Sequence, residues 1–110
     1  MKPIPLAIVE DDPIIRESLR TFLGGDPQFD LLYTAVSIED FLQTLETDTR
    51  IVPAVILLDI QLPGMSGIEG IPSIKKLRPG VDVIMLTTFE ESEKIFAALC
   101  AGACSYLSKR

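Results

Sequence analysis

Asp59 closes the apolar run Ala54-Val55-Ile56-Leu57-Leu58 and opens the loop Ile60-Gln61-Leu62-Pro63-Gly64-Met65-Ser66-Gly67. Glu10-Asp11-Asp12 closes an earlier apolar run, Leu6-Ala7-Ile8-Val9. Two apolar strands that end in carboxylates imply one acidic pocket at one edge of a parallel sheet. Clustered carboxylates repel one another, and one of them takes a proton unless a cation intervenes. Mg2+ suits such a set, because it prefers hard oxygens and takes one or two carboxylates together with waters and phosphate oxygens. Asp11 and Asp59 are the expected direct ligands, Glu10 would act through water, and Gln61 could lend its backbone carbonyl. A carboxylate can also attack phosphorus, giving an aspartyl-phosphate. The protein then has to hold the groups in line and neutralise charge on the equatorial oxygens. Lys109 offers a mobile point charge for one oxygen, and the Thr87 hydroxyl can donate to another. Thr87 is then also a sensor, drawn inward only when the phosphoryl group is present.

Each residue has a plainer reading. Glu10-Asp11-Asp12 could be only a helix cap, Asp59 a turn residue, Thr87 a β-branched strand former and Lys109 a solvated charge. Their order points to chemistry: they follow the first, third, fourth and fifth apolar runs, each at a strand end.

The elements that must position these residues follow from the pattern. Leu6–Val9, Phe29–Val36, Ala54–Leu58, Val81–Leu86 and Cys104–Leu107 read as strands. Between the first two, Asp12 is a plausible cap with Pro13 in the first helical turn, Ile15, Leu19, Phe22 and Leu23 form a stripe, and Gly24-Gly25 stops the helix. Ser37 with Asp40 resembles a capping box, ahead of a stripe of Ile38, Phe41, Leu42 and Leu45. A third helix should run from Gly67 to about Leu77, with either a late start near Pro72 or a kink there. Glu90, Glu91 and Glu93 crowd the start of a fourth, whose apolar face is Ile95, Phe96, Leu99 and Cys100 and which ends at Gly102. Strands alternating with helices predict an α/β fold: a flavodoxin-like, doubly wound five-stranded parallel sheet of order 2-1-3-4-5. In that order the first and third strands are neighbours at the point where the winding reverses, and ligands bind there.

The chain has 110 residues, room for one domain with one core. At 47% hydrophobic and 24% charged it reads as globular rather than disordered. No apolar run approaches the ~20 residues that cross a bilayer. Met1-Lys2-Pro3 leads directly into the first strand, so the expectation is a cytoplasmic protein without a secretory signal or a membrane partner. A net charge of -6 disfavours binding to nucleic acid by this segment itself. Cys100 and Cys104, in an apolar stretch without histidine or a Cys-x-x-Cys pair, read as small core residues rather than zinc ligands.

The ordered set resembles the receiver domain of two-component response regulators, the CheY-like domain. Asp59-x-x-Leu62-Pro63-x-Met65-Ser66-Gly67 is similar to the family's phosphoacceptor loop, and Val9-Glu10-Asp11-Asp12-Pro13 to its acidic start. Leu86-Thr87-Thr88 and Gly102-Ala103-x-x-Tyr106-Leu107-x-Lys109 resemble its switch threonine and its lysine segment. The wording of Leu62–Gly70 and Ala98–Ala103 looks most like regulators with a LuxR/NarL-type helix-turn-helix output.

The resemblance implies that Asp59 is phosphorylated and that Asp11, Asp59 and the Gln61 carbonyl bind Mg2+. It further implies that Thr87 and Tyr106 form a switch pair whose ring turns inward. The implied partners are a sensor histidine kinase, since this chain has no histidine, a second copy on phosphorylation, and DNA through an output domain that regulates transcription. On this reading the chain is no enzyme beyond its own phosphorylation and dephosphorylation. Ser105 and Ser108 depart from the usual glycine and hydrophobic residue, and Gln61 and Phe89 occupy positions that affect phosphoryl lifetime. The family's fifth helix would follow Lys109, so residues 1–110 are expected to be a C-terminally incomplete receiver domain with apolar surface left partly uncovered.

Three rivals are weaker. An aspartyl phosphatase would place an acid two residues after its nucleophile, where Gln61 stands. A pseudo-receiver would not need the complete acidic set with Thr87 and Lys109. A flavodoxin-like nucleotide binder would need a Gly-rich loop after the first strand, where the acidic cluster stands.

Overall fold

Strands buried on both faces of a parallel sheet read as unbroken apolar runs, and the structure shows that burial here. The computed structural model describes residues 2–60, 62, 64–87, 102–103 and 105–108, with the backbone alone for Thr87 and residues 105–108. In chain order they form β1 (Ile4–Val9), α1 (Pro13–Gly24), β2 (Phe29–Ala35), α2 (Ile38–Thr47), β3 (Val55–Asp59), α3 (Gly67–Leu77), β4 (Asp82–Thr87) and β5 (Ser105–Ser108). The sheet is parallel throughout with order β2-β1-β3-β4-β5, the order expected from the alternation of elements. The expected fourth helix, with Glu90, Glu91, Glu93, Ile95, Phe96, Leu99 and Cys100, lies outside the described residues, as do Phe89 and Cys104. Among the described residues no helix is long and apolar enough to cross a membrane.

Strand alternation divides the core between the two faces of the sheet. Ala7 and Val9 of β1 join Ile56 and Leu58 of β3 and Val83 and Met85 of β4 on one face, beneath Ile38, Phe41 and Leu45 of α2 and Ile71 and Ile74 of α3. Leu6, Ile8, Leu57 and Leu86 face the other way, against Leu19 and Leu23 of α1. Phe22 does not join them and is 75% exposed. It lies at the opposite flank of the α1 stripe from Leu23, so the sheet that receives Leu19 and Leu23 does not cover it.

The strand limits move by one or two residues from those the apolar runs suggest. Apolarity marks burial, whereas the hydrogen-bonded ladder marks the strand. Asp59 therefore belongs to β3, opposite Leu86, although it is a carboxylate. β2 carries an irregularity: Leu6 pairs with Leu31 but Ala7 with Tyr33, which leaves Leu32 as an extra residue on an edge strand. Such a bulge twists an edge away from pairing with another chain.

α3 has the expected span, Gly67–Leu77, and removes one of the two alternatives at Pro72. It starts at Gly67, not near Pro72, and Pro72 sits inside it. Ser66 caps it by accepting a hydrogen bond from the Glu69 amide at 3.1 Å. Proline removes one donor, to the Ile68 carbonyl, and Pro72 itself is exposed, while Ile71 and Ile74 are completely buried. Tertiary burial of those isoleucines outweighs the loss of one solvent-side hydrogen bond.

Arg78, at the C-terminal cap of α3, ties the far end of the molecule together. Its guanidinium donates to the carbonyls of Ile51 (2.9 Å), Leu45 (2.9 Å), Asp48 (3.2 Å) and Leu77 (2.9 Å). It thereby fixes the α2–β3 connection against the end of α3. Arg78→Ala strands several carbonyls and is expected to lower the unfolding free energy by about 2–3 kcal/mol in urea titration. Arg78→Lys should recover little, because an ammonium cannot reproduce the planar fork.

Candidate functional site

The acidic run after β1 divides its labour. The Asp12 carboxylate accepts from the amides of Ile14 (2.8 Å) and Ile15 (3.3 Å), so it caps α1 ahead of Pro13. The cap reading thus holds for Asp12 and not for its neighbours. The Glu10 amide donates to the Ala35 carbonyl at 3.0 Å, which holds the chain in line with β2 for one residue beyond β1. Glu10 is fully buried and Asp11 exposed.

Register brings the third carboxylate in. Val9 pairs with Leu58, so one residue further on Glu10 and Asp59 come level at the same sheet edge. Glu10, Asp11 and Asp59 each offer a carboxylate oxygen, and these oxygens lie within 4.8 Å of one another. Asp59 is 6% exposed. An all-oxygen set at that spacing is chemically suited to a hard divalent ion.

The backbone around Asp59 is tight. The Gly67 amide donates to the Ile60 carbonyl at 3.0 Å, and this bond closes the loop that follows Asp59. A Cβ at Gly67 would collide with the Asp59 carbonyl oxygen, which is backbone and cannot swing aside. Glycine at 67 is thus a condition for Asp59 to sit where it does. On the other wall, Arg16 Nη1 donates to the carbonyls of Glu10 (3.0 Å) and Asp11 (3.2 Å). Side chains lean toward the N-terminus of their helix, so a cation one turn into α1 falls over the preceding loop. Sequence reading passed over Arg16, although that spacing was the available signal. It also passed over the close approach at Gly67, which no local pattern reveals.

Of the other expected residues, Thr87 is the last residue of β4 and Tyr106 lies in β5 opposite Met85. Thr87 pairs with Ser108, so these positions reach the same sheet edge as Asp59, one residue beyond its partner Leu86. Gln61 and Lys109 lie outside the described residues.

Comparison with known proteins bears on this geometry. A family model described as the response regulator receiver domain matches residues 6–110. The chain is 39% identical over 110 residues to protein-glutamate methylesterase/protein-glutamine glutaminase 2 of Paramagnetospirillum magneticum, covering 98% of this chain and 30% of that protein. It is 36% identical over 106 residues to the transcriptional regulatory protein LnrK of Bacillus subtilis, covering 96% of this chain and 47% of that protein. The chain thus spans less than half the length of these relatives. Among solved structures, a LuxR-family two-component response regulator from Aurantimonas superposes with a TM-score of 0.85 at 25% identity, over 97% of this chain and 74% of that one.

Gly67→Ala is expected to destabilise the fold by about 1–3 kcal/mol, since the added methyl must displace backbone. Thermal unfolding measures it. A melting temperature equal to that of the unmodified chain would show that the loop can widen without cost.

Proposed function

This chain belongs to the response regulator receiver domain family, and from that premise we propose that it is a phosphoacceptor switch, with Asp59 taking a phosphoryl group from a phosphohistidine on a sensor histidine kinase. The observation that carries the reading is the convergence of Glu10, Asp11 and Asp59 within 4.8 Å. The donor set fits Mg2+: hard carboxylate oxygens, one fully buried and one open to solvent, leave room for waters and phosphate oxygens. Asp11, Asp59 and the Gln61 carbonyl would hold the ion, with Glu10 acting through water. When bound, Mg2+ relieves carboxylate repulsion and offsets charge on the transferring group.

The chain's own residues account for the remaining steps. A carboxylate oxygen of Asp59 attacks phosphorus, the bond to the donor imidazole breaks, and its electron pair stays with the departing ring. The Lys109 ammonium balances one equatorial oxygen, and the Thr87 hydroxyl donates to another. Movement of Thr87 toward the phosphoryl group frees space for the Tyr106 ring to turn inward. This biases a pre-existing equilibrium between two surfaces on the side of the fourth helix and β5. The output is transcription through a DNA-binding domain outside these 110 residues, in the cytoplasm, with pairing of two phosphorylated copies. LnrK is a transcriptional regulatory protein, and the resemblance of Leu62–Gly70 to LuxR/NarL-type regulators favours that output over a methylesterase one.

Incubation with a small acyl phosphate and Mg2+ should label the chain once, on Asp59. Label should vanish in Asp59→Asn and with a chelator. Label that persists in Asp59→Asn, or sustained turnover of phosphomonoesters, would overturn the assignment. Asp11→Asn should weaken Mg2+ binding by about tenfold or more in calorimetric titration, because one of the few anionic ligands is lost.

A further inference from the structure

The loop after Asp59 is held from a distance by a residue of another element. Glu39, in the first turn of α2, accepts a hydrogen bond from the Met65 amide at 3.3 Å, across 26 residues of sequence. Gly64, immediately before Met65, has a φ of +74°, a conformation that other residues rarely adopt. A Cβ at Gly64 would run into the Glu39 carboxylate. The carboxylate therefore fills the space that the absent side chain leaves, and it meets the amide that the left-handed turn presents.

Glu39 projects from a braced base. Ser37 Oγ accepts from the Asp40 amide at 3.0 Å. Asp40 does not reach back to Ser37, as a capping box would require. Its carboxylate instead accepts from the Tyr33 hydroxyl (2.9 Å) and the Val36 amide (3.2 Å), tying α2 to β2. The Tyr33 ring stacks on Phe41 with centroids 6.5 Å apart. Ile38 is fully buried against Gly70 of α3, where any Cβ would overlap its side chain. The start of α2 is thus fixed to β2 on one side and α3 on the other, while Glu39 itself stays exposed.

We propose that Glu39 is a positioning residue for phosphoryl transfer, holding the Met65 amide and so setting the path of the loop that leaves Asp59. The inference rests on the reading of Asp59 as phosphoacceptor. The first helical turn is also where a carboxylate complements the helix dipole, but that role would be served equally by any anion there and requires neither Gly64 nor Met65. The hydrogen bond needs an acceptor oxygen at this place, not a charge.

The test uses Glu39→Ala and Glu39→Gln in the full chain, with acyl-phosphate labelling of Asp59, amide exchange by NMR and thermal unfolding. In Glu39→Ala the Met65 amide should exchange faster, and the labelling rate should fall by about three- to thirtyfold, because a small misplacement near a reacting group is costly. Glu39→Gln keeps an acceptor oxygen and should restore most of both. Melting temperatures should stay within about 3 °C, as for a surface side chain. Wild-type exchange at Met65 in Glu39→Ala overturns the proposal whether or not the chain is labelled. Wild-type labelling by Glu39→Ala overturns it too, as does Glu39→Gln labelling as slowly as Glu39→Ala. An unmodified chain that takes no label at Asp59 sinks the phosphoacceptor reading, and the positioning role in transfer with it.

Discussion

Repulsion between carboxylates held side by side is the constraint around which this molecule is arranged. Glu10 and Asp59 come level because β1 and β3 are hydrogen-bonded neighbours, and Asp11 follows Glu10 directly. Spread over a flexible chain, three such groups would separate. Here the strands that carry them are anchored by side chains with essentially no exposure, such as Ala7, Ile8, Val9, Ile56 and Leu58. Burying apolar surface at about 25 cal/mol per Å² supplies a platform that does not yield to local charge repulsion. Two-faced burial thus holds three carboxylates closer together than a flexible chain would.

Holding the platform still leaves the loops to be aimed, and the structure does this with long polar side chains turned onto backbone groups. Arg16 turns onto the carbonyls of the β1–α1 loop, Glu39 onto an amide of the β3–α3 loop, and Arg78 onto the connection at the opposite edge. Backbone partners suit this work, because their positions follow from the fold and do not depend on a second side chain's rotamer. The glycines complete the arrangement by being absent volume. Gly67 lets α3 begin against the Asp59 carbonyl, and Gly70 lets it pack on Ile38. α3 can therefore start at Gly67, despite Pro72 within it, because Ile71 and Ile74 are drawn into the core.

Much of the fold and of the candidate site was legible in the chain itself. Runs such as Leu6–Val9 and Ala54–Leu58, alternating with helical stripes, specify a parallel sheet covered on both sides, because only that architecture buries continuous apolar strands. Asp12 before Pro13 and Ser37 before Ile38 mark helix starts, because capping is local chemistry between a side chain and amides two or three residues on. The carboxylates at the ends of the first and third runs pointed to an acidic cluster, and Glu10, Asp11 and Asp59 do come together, because strand ends in such a sheet converge.

Tertiary structure alone decided which distant partners several side chains meet. Glu10 is fully buried while Asp11 beside it is exposed, a difference set by backbone direction after β1 and not by residue type. Asp40 bonds to Tyr33 and Val36 rather than closing a capping box, and Phe22, at the flank of its stripe, stays exposed. Arg16, Glu39 and Arg78 are unremarkable as letters. Their partners lie across the fold or at a separation fixed by how the chain turns. Local patterns are governed by short-range geometry that every chain shares. Which distant atoms meet depends on register and on how closely two elements can approach, and these exist only once the sheet has formed.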